Sequence, residues 1–352
     1  LLNSAYKRGK NMPSKKRKRD TDSTNNSNDT TAANKKSRIQ SEIDIHKEII
    51  QILSDCKETH KNKIDMKIIE AAVRGSMKNQ FKLAQCYSTG TGITKNKKNA
   101  FNWYLKAAEQ GLPAAQFYVA YDYKHGNGVK INKKKAFDWY LKAAEQGLPA
   151  AQFCIGRCYE DGKGVKKNKK LAFKWYLKAA EQGLKEAQYN TAGYYVKGIG
   201  VDKNEKEAFK WYLKSAKQGL KEAQYNTAAY YIKGIGVDKN EKLAFKWALR
   251  SAKKGLKRAQ YVVGNYYYKG LVVKQNNNGA FKWFLKSANQ GLKAAQYNIG
   301  LFYHNGISVD KNDQTAIKWY KKAAGQGHKR AQEIITELQK KIAKEKNIKT
   351  EP

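Results

Sequence analysis

Proline is scarce in this chain, with 4 among 352 residues, and runs that alternate apolar and polar residues are few. Both shortages argue against a sheet-rich fold and for helix. Cysteine is equally rare: Cys56, Cys86, Cys154 and Cys158 are the whole complement, and no CxxC pair occurs. That excludes a disulfide scaffold and favours a reducing compartment. Cys154 and Cys158 lie four apart and so share one face of an expected helix. They read as two small buried hydrophobes rather than metal ligands, because no histidine falls nearby at ligand spacing. No run of about 18 apolar residues exists to cross a membrane as a helix, and the N-terminus lacks the apolar core of a secretory signal. Met12 opens MPSKKRKRD and reads as a natural start, with residues 1–11 lying upstream of it.

Acidic residues are also in short supply. Asp and Glu number 30 against 70 Lys and Arg, a formal net charge of +40. Such a surface repels its own copies and attracts polyanions, acidic proteins or anionic lipid heads. A lysine-biased composition spread over solvated helix faces gives the same count, and the total alone does not separate the two.

What is abundant is order. All seven tryptophans lie on one series of step 36, from Trp103 through Trp139, Trp175, Trp211, Trp247 and Trp283 to Trp319. Glycine keeps the same step from Gly75 to Gly327, tyrosine from Tyr87 to Tyr303, asparagine from Asn96 to Asn312, and a small residue (Ala or Gly) from Ala84 to Gly300. A fixed period of this length signals a repeat architecture.

One unit, Leu184 to Gly219, shows the logic. Ala187, Thr191, Ala192 and Tyr195 stand at helical spacing, which predicts helix A over Lys185–Val196. Gly198 and Gly200 break it. Asn204 is placed to cap the next helix by accepting from its free N–H groups. Glu205 to Lys217 is the expected helix B, with Ala208, Trp211, Tyr212 and Ser215 on one stripe. Gly219 closes it in a left-handed cap, and Leu220 packs back. Neither helix buries its apolar face alone, so neighbouring units must stack. The small residue at 192 lets helix B approach, with Trp211 and Tyr195 filling the space beside it. The tryptophan column reads as core.

The pattern Ala-Gln-Tyr-x-x-(Gly/Ala)-x-x-Tyr-x-x-Gly-x-Gly-Val, followed by Lys-x-x-x-Ala-Phe-x-Trp-Tyr-x-Lys-Ala-Ala-x-Gln-Gly, resembles the Sel-1-like repeat, a relative of the tetratricopeptide repeat. The resemblance runs from Gly75 to Gly327. It implies an all-α fold: a right-handed α-α superhelical solenoid of seven 36-residue helix-pair repeats with terminal capping helices. It also implies a non-enzymatic adaptor that gathers protein partners. Val272 and Ser308 depart from it by replacing the second loop glycine, which predicts differently shaped loops in repeats six and seven.

The domain organisation follows. Residues 1–40 are expected to be a disordered basic tail, since they offer too little apolar surface to order themselves. Residues 41–75 hold N-terminal helices and a degenerate half-repeat, with an amphipathic helix over Ser41–Leu53 capped by Ser41. Residues 76–327 are the seven repeats, and 328–352 a C-terminal capping helix and tail. Repeats four and five differ at six of 36 positions, among them Gln218/Lys254.

Candidate binding residues come from helix A. Its 119, 120 and 123 positions face the core. Its second face carries the 117, 121 and 124 positions, at i, i+4 and i+7, and in tetratricopeptide superhelices that face lines the concave groove. The 117 column is aromatic throughout: Phe117, Phe153, Tyr189, Tyr225, Tyr261 and Tyr297. The other two columns vary, giving Tyr121, Arg157 and Asn265, and Lys124, Tyr268 and His304. Aromatic anchors beside variable polar groups suit a protein-binding surface. The aromatic column equally suits packing between units.

Basic columns also recur, three residues after each tryptophan (Lys106 to Lys322) and after the closing glycines (Lys185 to Lys329). They offer phosphate contacts but no base-reading motif. The run Lys15, Lys16, Arg17, Lys18 and Arg19 fits a nuclear localisation signal or a non-specific polyanion-binding arm. The partners expected are therefore proteins, acidic ones included, with nucleic acid held at most non-specifically and no membrane. No cofactor, metal or catalytic residue is called for: the five histidines are scattered, His125 and His304 are expected in loops, and the GIGVDKN segments lack a Walker lysine–serine pair.

Overall fold

The computed structural model describes residues 29–56 and 64–348, with side chains for 40–56 and 64–340. Seventeen helices and no strand occur among the described residues. The chain divides into two compact units, one ending at Gln182 and one beginning at Gly183. The first holds α1 (Asp29–Ser54), α2 (Met66–Val73), α3 (Met77–Thr89), α4 (Lys97–Glu109), α5 (Pro113–His125), α6 (Lys133–Glu145), α7 (Pro149–Asp161) and α8 (Lys169–Glu181). The second holds α9 (Lys185–Lys197), α10 (Glu205–Lys217), α11 (Lys221–Lys233), α12 (Glu241–Lys253), α13 (Lys257–Lys269), α14 (Asn277–Asn289), α15 (Lys293–Asn305), α16 (Asp313–Ala324) and α17 (Lys329–Ile348). Within each unit every helix packs on its sequence neighbours, the order of an all-α solenoid.

Local chemistry sets each turn. The backbone N–H of Asn204 donates to Tyr195 O at 3.1 Å, closing the loop, while its side chain accepts from Glu207 N at 3.0 Å. The other six asparagines of the column cap their B helices in the same way. Gly219 has φ +88°, and Leu220 N reaches back to Ser215 O at 3.3 Å. That is the Schellman closure expected of a glycine after the last helical residue. The second loop glycine matters for space as well as φ. A Cβ at Gly128 would lie 2.2 Å from Lys97 O, and one at Gly164 would lie 2.1 Å from Lys133 O. Val272 and Ser308 keep the left-handed turn, at φ 54° and 60°. Their side chains rule out that close carbonyl approach, so the repeat-six and repeat-seven loops preserve the turn but not the contact.

The small residue on helix A meets a different aromatic from the one expected. A Cβ added at Gly156 would strike the Tyr176 ring at 2.7 Å, at Gly264 the Phe284 ring at 2.6 Å, and at Gly300 the Tyr320 ring at 2.6 Å. It is thus the residue after each tryptophan that lies on the small residue. The indoles turn the other way: Trp139 packs on the core of the preceding repeat, and Trp175, Trp283 and Trp319 do likewise. A 100° step per residue places two consecutive aromatics on different flanks of helix B, so one serves its own repeat and the other the interface.

A second interface device is polar. Gln116 is buried; its Nε2 donates to Ala108 O at 3.2 Å, and its Oε1 accepts from Gln146 Nε2 at 2.8 Å. The pairs Gln80–Gln110, Gln152–Gln182, Gln188–Gln218, Gln260–Gln290 and Gln296–Gln326 repeat the contact at 2.7–2.9 Å.

The ends differ from the expectation in one respect. Helix α1 begins at Asp29, so residues 29–40 are helical and Ser41 lies in the interior rather than at a cap. Ala32, Ala33, Lys35, Lys36 and Arg38 are good helix formers. Ile52 of α1 is buried on the first repeats. Arg74 holds Glu42 through two bonds of 3.1 and 3.2 Å, and Tyr87 donates to Asp55 at 2.8 Å. At the other end α17 covers the last repeat with Ile334, Ile335 and Leu338.

Candidate functional site

The second face of helix A is where the structure places the candidate binding residues, and it splits them into two groups. The aromatic column is engaged in packing. Phe117 is buried at 8% exposure, with its ring 5.4 Å from Tyr140. Phe153, Tyr189, Tyr261 and Tyr297 are half-buried, with centroids 5.5–5.6 Å from Tyr176, Tyr212, Phe284 and Tyr320 of helix B in the same repeat. Tyr225 is half-buried against a cluster in which Ala248 stands where other repeats carry that ring. Tyr297 is also stacked by His328 at 4.3 Å, so the C-terminal cap covers part of its surface.

The variable columns are open at four positions, Tyr121, Lys124, Arg157 and Tyr268. Tyr121 is 41% exposed and lies against His125 at 4.0 Å, while Lys124 and Arg157 are exposed beside it. Tyr268 is 38% exposed with its ring 5.6 Å from Phe302, and Asn265 is half-buried one turn earlier. His304 is committed within the fold, its Nδ1 2.7 Å from Asp313 Oδ1. Both His125 and His304 sit in the last turn of their helices rather than in loops, because the left-handed glycines Gly126 and Gly306 end each helix one residue or two later.

The basic column after each tryptophan carries a role the sequence reading missed. Lys106, Lys142, Lys178, Lys214, Arg250, Lys286 and Lys322 each lie over the indole three residues earlier, at 4.1–4.8 Å from the ring centroid. The i, i+3 spacing was the available signal. Lys106 also bonds Glu48 at 2.6 Å. In the second column, Lys257 and Lys293 donate to Gln290 O and Gln326 O at the C-terminal ends of neighbouring B helices.

Titratable groups line the packing rather than an open cleft, Asp122 buried and Cys154 and Cys158 half-buried. Burial pushes the Cys158 thiol up to about 11 and raises Cys154 as well, so both stay protonated beside Tyr140. Burial also lifts the Asp122 carboxyl to about 6, against the opposing pull of Asn127 and Lys97. No group of three or more His, Cys, Asp or Glu side chains is set to hold a metal ion among the described residues. The basic run Lys15–Arg19 lies outside the described residues.

A helix-pair repeat capped by asparagine, closed by left-handed glycine and tied to its neighbour by tryptophan and glutamine defines a repeat-solenoid class of protein. The Sel1 repeat profile matches seven times in succession, over residues 80–112, 113–148, 149–184, 185–220, 221–256, 257–292 and 293–328. The chain belongs to the Sel1 repeat family. Among solved structures it is similar to c5321, a protective antigen of uropathogenic Escherichia coli strains with an SLR fold, at 36% identity and TM-score 0.73. That match covers 76% of this chain and 58% of the other, so the chain spans under two thirds of that protein's length. It is also similar to a Sel1 repeat protein from Oxalobacter formigenes, at 30% identity and TM-score 0.65, covering 93% and 97% of the two chains. No curated protein matches it in sequence.

Proposed function

We propose that this chain is a non-enzymatic scaffold that holds protein partners on the second face of its A helices. The observation that carries the reading is the split on that face. The 117-type rings are spent on packing, while the neighbouring 121 and 124 positions differ from repeat to repeat and are exposed at Tyr121, Lys124, Arg157 and Tyr268. An architecture fixed by one column frees the adjacent ones to set specificity. Tyr121, Lys124 and Arg157 form an exposed aromatic–cationic set in the first unit. Asn265 and Tyr268 supply an uncharged aromatic–amide set in the second. Tyr and Arg are the side chains that most often anchor interfaces, and a cationic rim favours acidic partners.

The test is affinity capture with the wild-type chain and with Tyr121→Ala/Arg157→Glu, quantified against a control substitution at an exposed lysine of helix B. Partners that depend on the proposed face are lost from the double variant and kept by the control. Capture of nucleic acid alone, or equal loss from both variants, refutes the scaffold reading. The run Lys15–Arg19 is proposed as a nuclear address, and comparing the localisation of tagged chains with and without residues 12–40 tests it.

A further inference from the structure

The acidic residues are not only few but absent from one long stretch. From Lys242 to Val309 the sequence has twelve Lys or Arg and no Asp or Glu. The helix B positions around this stretch show where the charge goes. At the position six residues after each tryptophan, the first three repeats carry Glu109, Glu145 and Glu181; repeats four and five carry Lys217 and Lys253. At the position just before the tryptophan, the first unit reads Asn102, Asp138 and Lys174, whereas the second has lysine in all four repeats: Lys210, Lys246, Lys282 and Lys318. A uniform lysine bias would act on all seven copies alike. A switch at one fixed architectural position, from glutamate in repeats one to three to lysine in repeats four and five, is not explained by it.

These side chains are presented, not buried. Lys217, Lys246, Lys253 and Lys282 are exposed and make no ion pair among the described residues, while Lys210 is held by Glu207 at 2.6 Å. Between their rows lie Lys214, Arg250, Lys286 and Lys322, fixed over indole faces at 4.1, 4.7, 4.8 and 4.2 Å. Stacking restricts these cations before any ligand arrives, which lowers the ordering cost of binding. It also covers the rings, so the face has no aromatic platform for unpaired bases. The exposed large hydrophobics of this unit, Ile199, Ile235, Tyr268, Leu271 and Val272, belong to A helices and loops, and none is on a B helix. The face therefore offers cations, with the amide of Asn289 in the same row and no exposed apolar anchor, in rows about 6 Å apart along each helix, set by four residues at about 1.5 Å rise.

We infer that the exposed face of the B helices in the second unit, α10, α12, α14 and α16, is a docking surface for the phosphate backbone of duplex DNA. A duplex presents about one negative charge per 1.7 Å of axis on a stiff rod, the counterpart of a rigid array of cations. An amphipathic acidic peptide or a lipid-inserting contact needs apolar side chains that this face lacks. Contacts to a 2′-hydroxyl are a hallmark of duplex RNA recognition, and the face has no exposed serine or threonine to make them. Binding is sequence-independent, because the contacts run from lysine and arginine to phosphate, which carries no sequence information. The surface lies on B helices and does not depend on the protein-binding reading of the A helices.

The test uses the full chain and a short labelled DNA duplex, with anisotropy measured across a salt series. In one variant Lys217→Glu, Lys246→Asp, Lys253→Glu and Lys282→Asp bring the residue types of repeat two, Asp138 and Glu145, to the second unit. In a comparison variant the same change of charge is made at Lys98, Lys134, Lys170 and Lys174. The expected result is at least about tenfold weaker binding in the first variant only, with a log–log salt slope shallower by roughly 0.9 for each phosphate no longer neutralised. If the acidic variant does not fold, the four-fold Lys→Gln version carries the same prediction with a smaller effect. Equal weakening in both variants or a flat salt response overturns the inference. So does tighter binding to duplex RNA, single strands, phosphatidylserine vesicles or poly-glutamate than to duplex DNA.

Discussion

Repeats four and five are near duplicates, and one of their six differences breaks the glutamine ladder. In repeat four, Gln218 Nε2 donates both to Gly183 O at 2.8 Å and to Gln188 Oε1 at 2.9 Å. In repeat five the residue is Lys254, whose Nζ bonds Gly219 O, and the buried Oε1 of Gln224 is left without a partner. A buried acceptor left unsatisfied costs about 1–3 kcal/mol. Lys254→Gln supplies a side chain that reaches both carbonyl oxygens, as Gln218 does, at the loss of one exposed charge-assisted bond to Gly219 O. The net expectation is a gain of about 1 kcal/mol, from the balance of these terms. For a chain of this size that is roughly 1–2 °C in Tm. The assay is the denaturation midpoint together with amide exchange in α11 and α12, which reads the local interface even where unfolding is not two-state. The reciprocal change, Gln218→Lys, should cost a similar amount and lower protection in α9 and α10. A neutral or destabilising Lys254→Gln, or a Gln218→Lys without effect, would show that the buried glutamine is satisfied in another way.

Two further outcomes follow from the same geometry. Val272 is β-branched at φ 54° and 44% exposed. A left-handed backbone costs such a residue about 1–2 kcal/mol, of which glycine's extra chain entropy returns roughly 0.5–1. Val272→Gly should therefore stabilise by up to about 1 kcal/mol in denaturant melts, and a loss of stability would refute the strain. Asp122 has its carboxyl raised by burial from 3.8 to about 6. Between these two values the unfolded chain has released the proton and the folded chain retains it, so this group's contribution to stability falls as pH rises from about 4 to about 6 and is flat above. Asp122→Asn should remove that fall, leaving the variant more stable than wild type at neutral pH by roughly 1–3 kcal/mol. A stability difference between the two chains that does not change with pH would count against the burial argument.

Much of the frame was legible because its determinants are local. The 36-residue step, the asparagine caps and the closing glycines act within a few residues of chain, so a linear pattern carries them; helix B over Glu205–Lys217 is placed as expected. The candidate face was legible as columns but not as surfaces. Sequence spacing gives Phe117 and Tyr121 the same helix face, yet Phe117 is buried on Tyr140 while Tyr121 is open. That difference is set by a ring 23 residues away, which the periodicity of one helix does not contain. The lysine after each tryptophan read as a free stripe, although its spacing already allowed it to fold onto the indole.

The sequence by itself determined the period, the turn chemistry and the sign of the charge, since each depends on residue type and on separations of a few positions. Tertiary structure alone decided which aromatic of each consecutive pair serves its own repeat and which serves the interface. It also decided which glutamines meet across 30 residues and which cations remain open to a partner. These are outcomes of packing, where atoms far apart in the chain compete for the same space, and no count along the sequence resolves that competition.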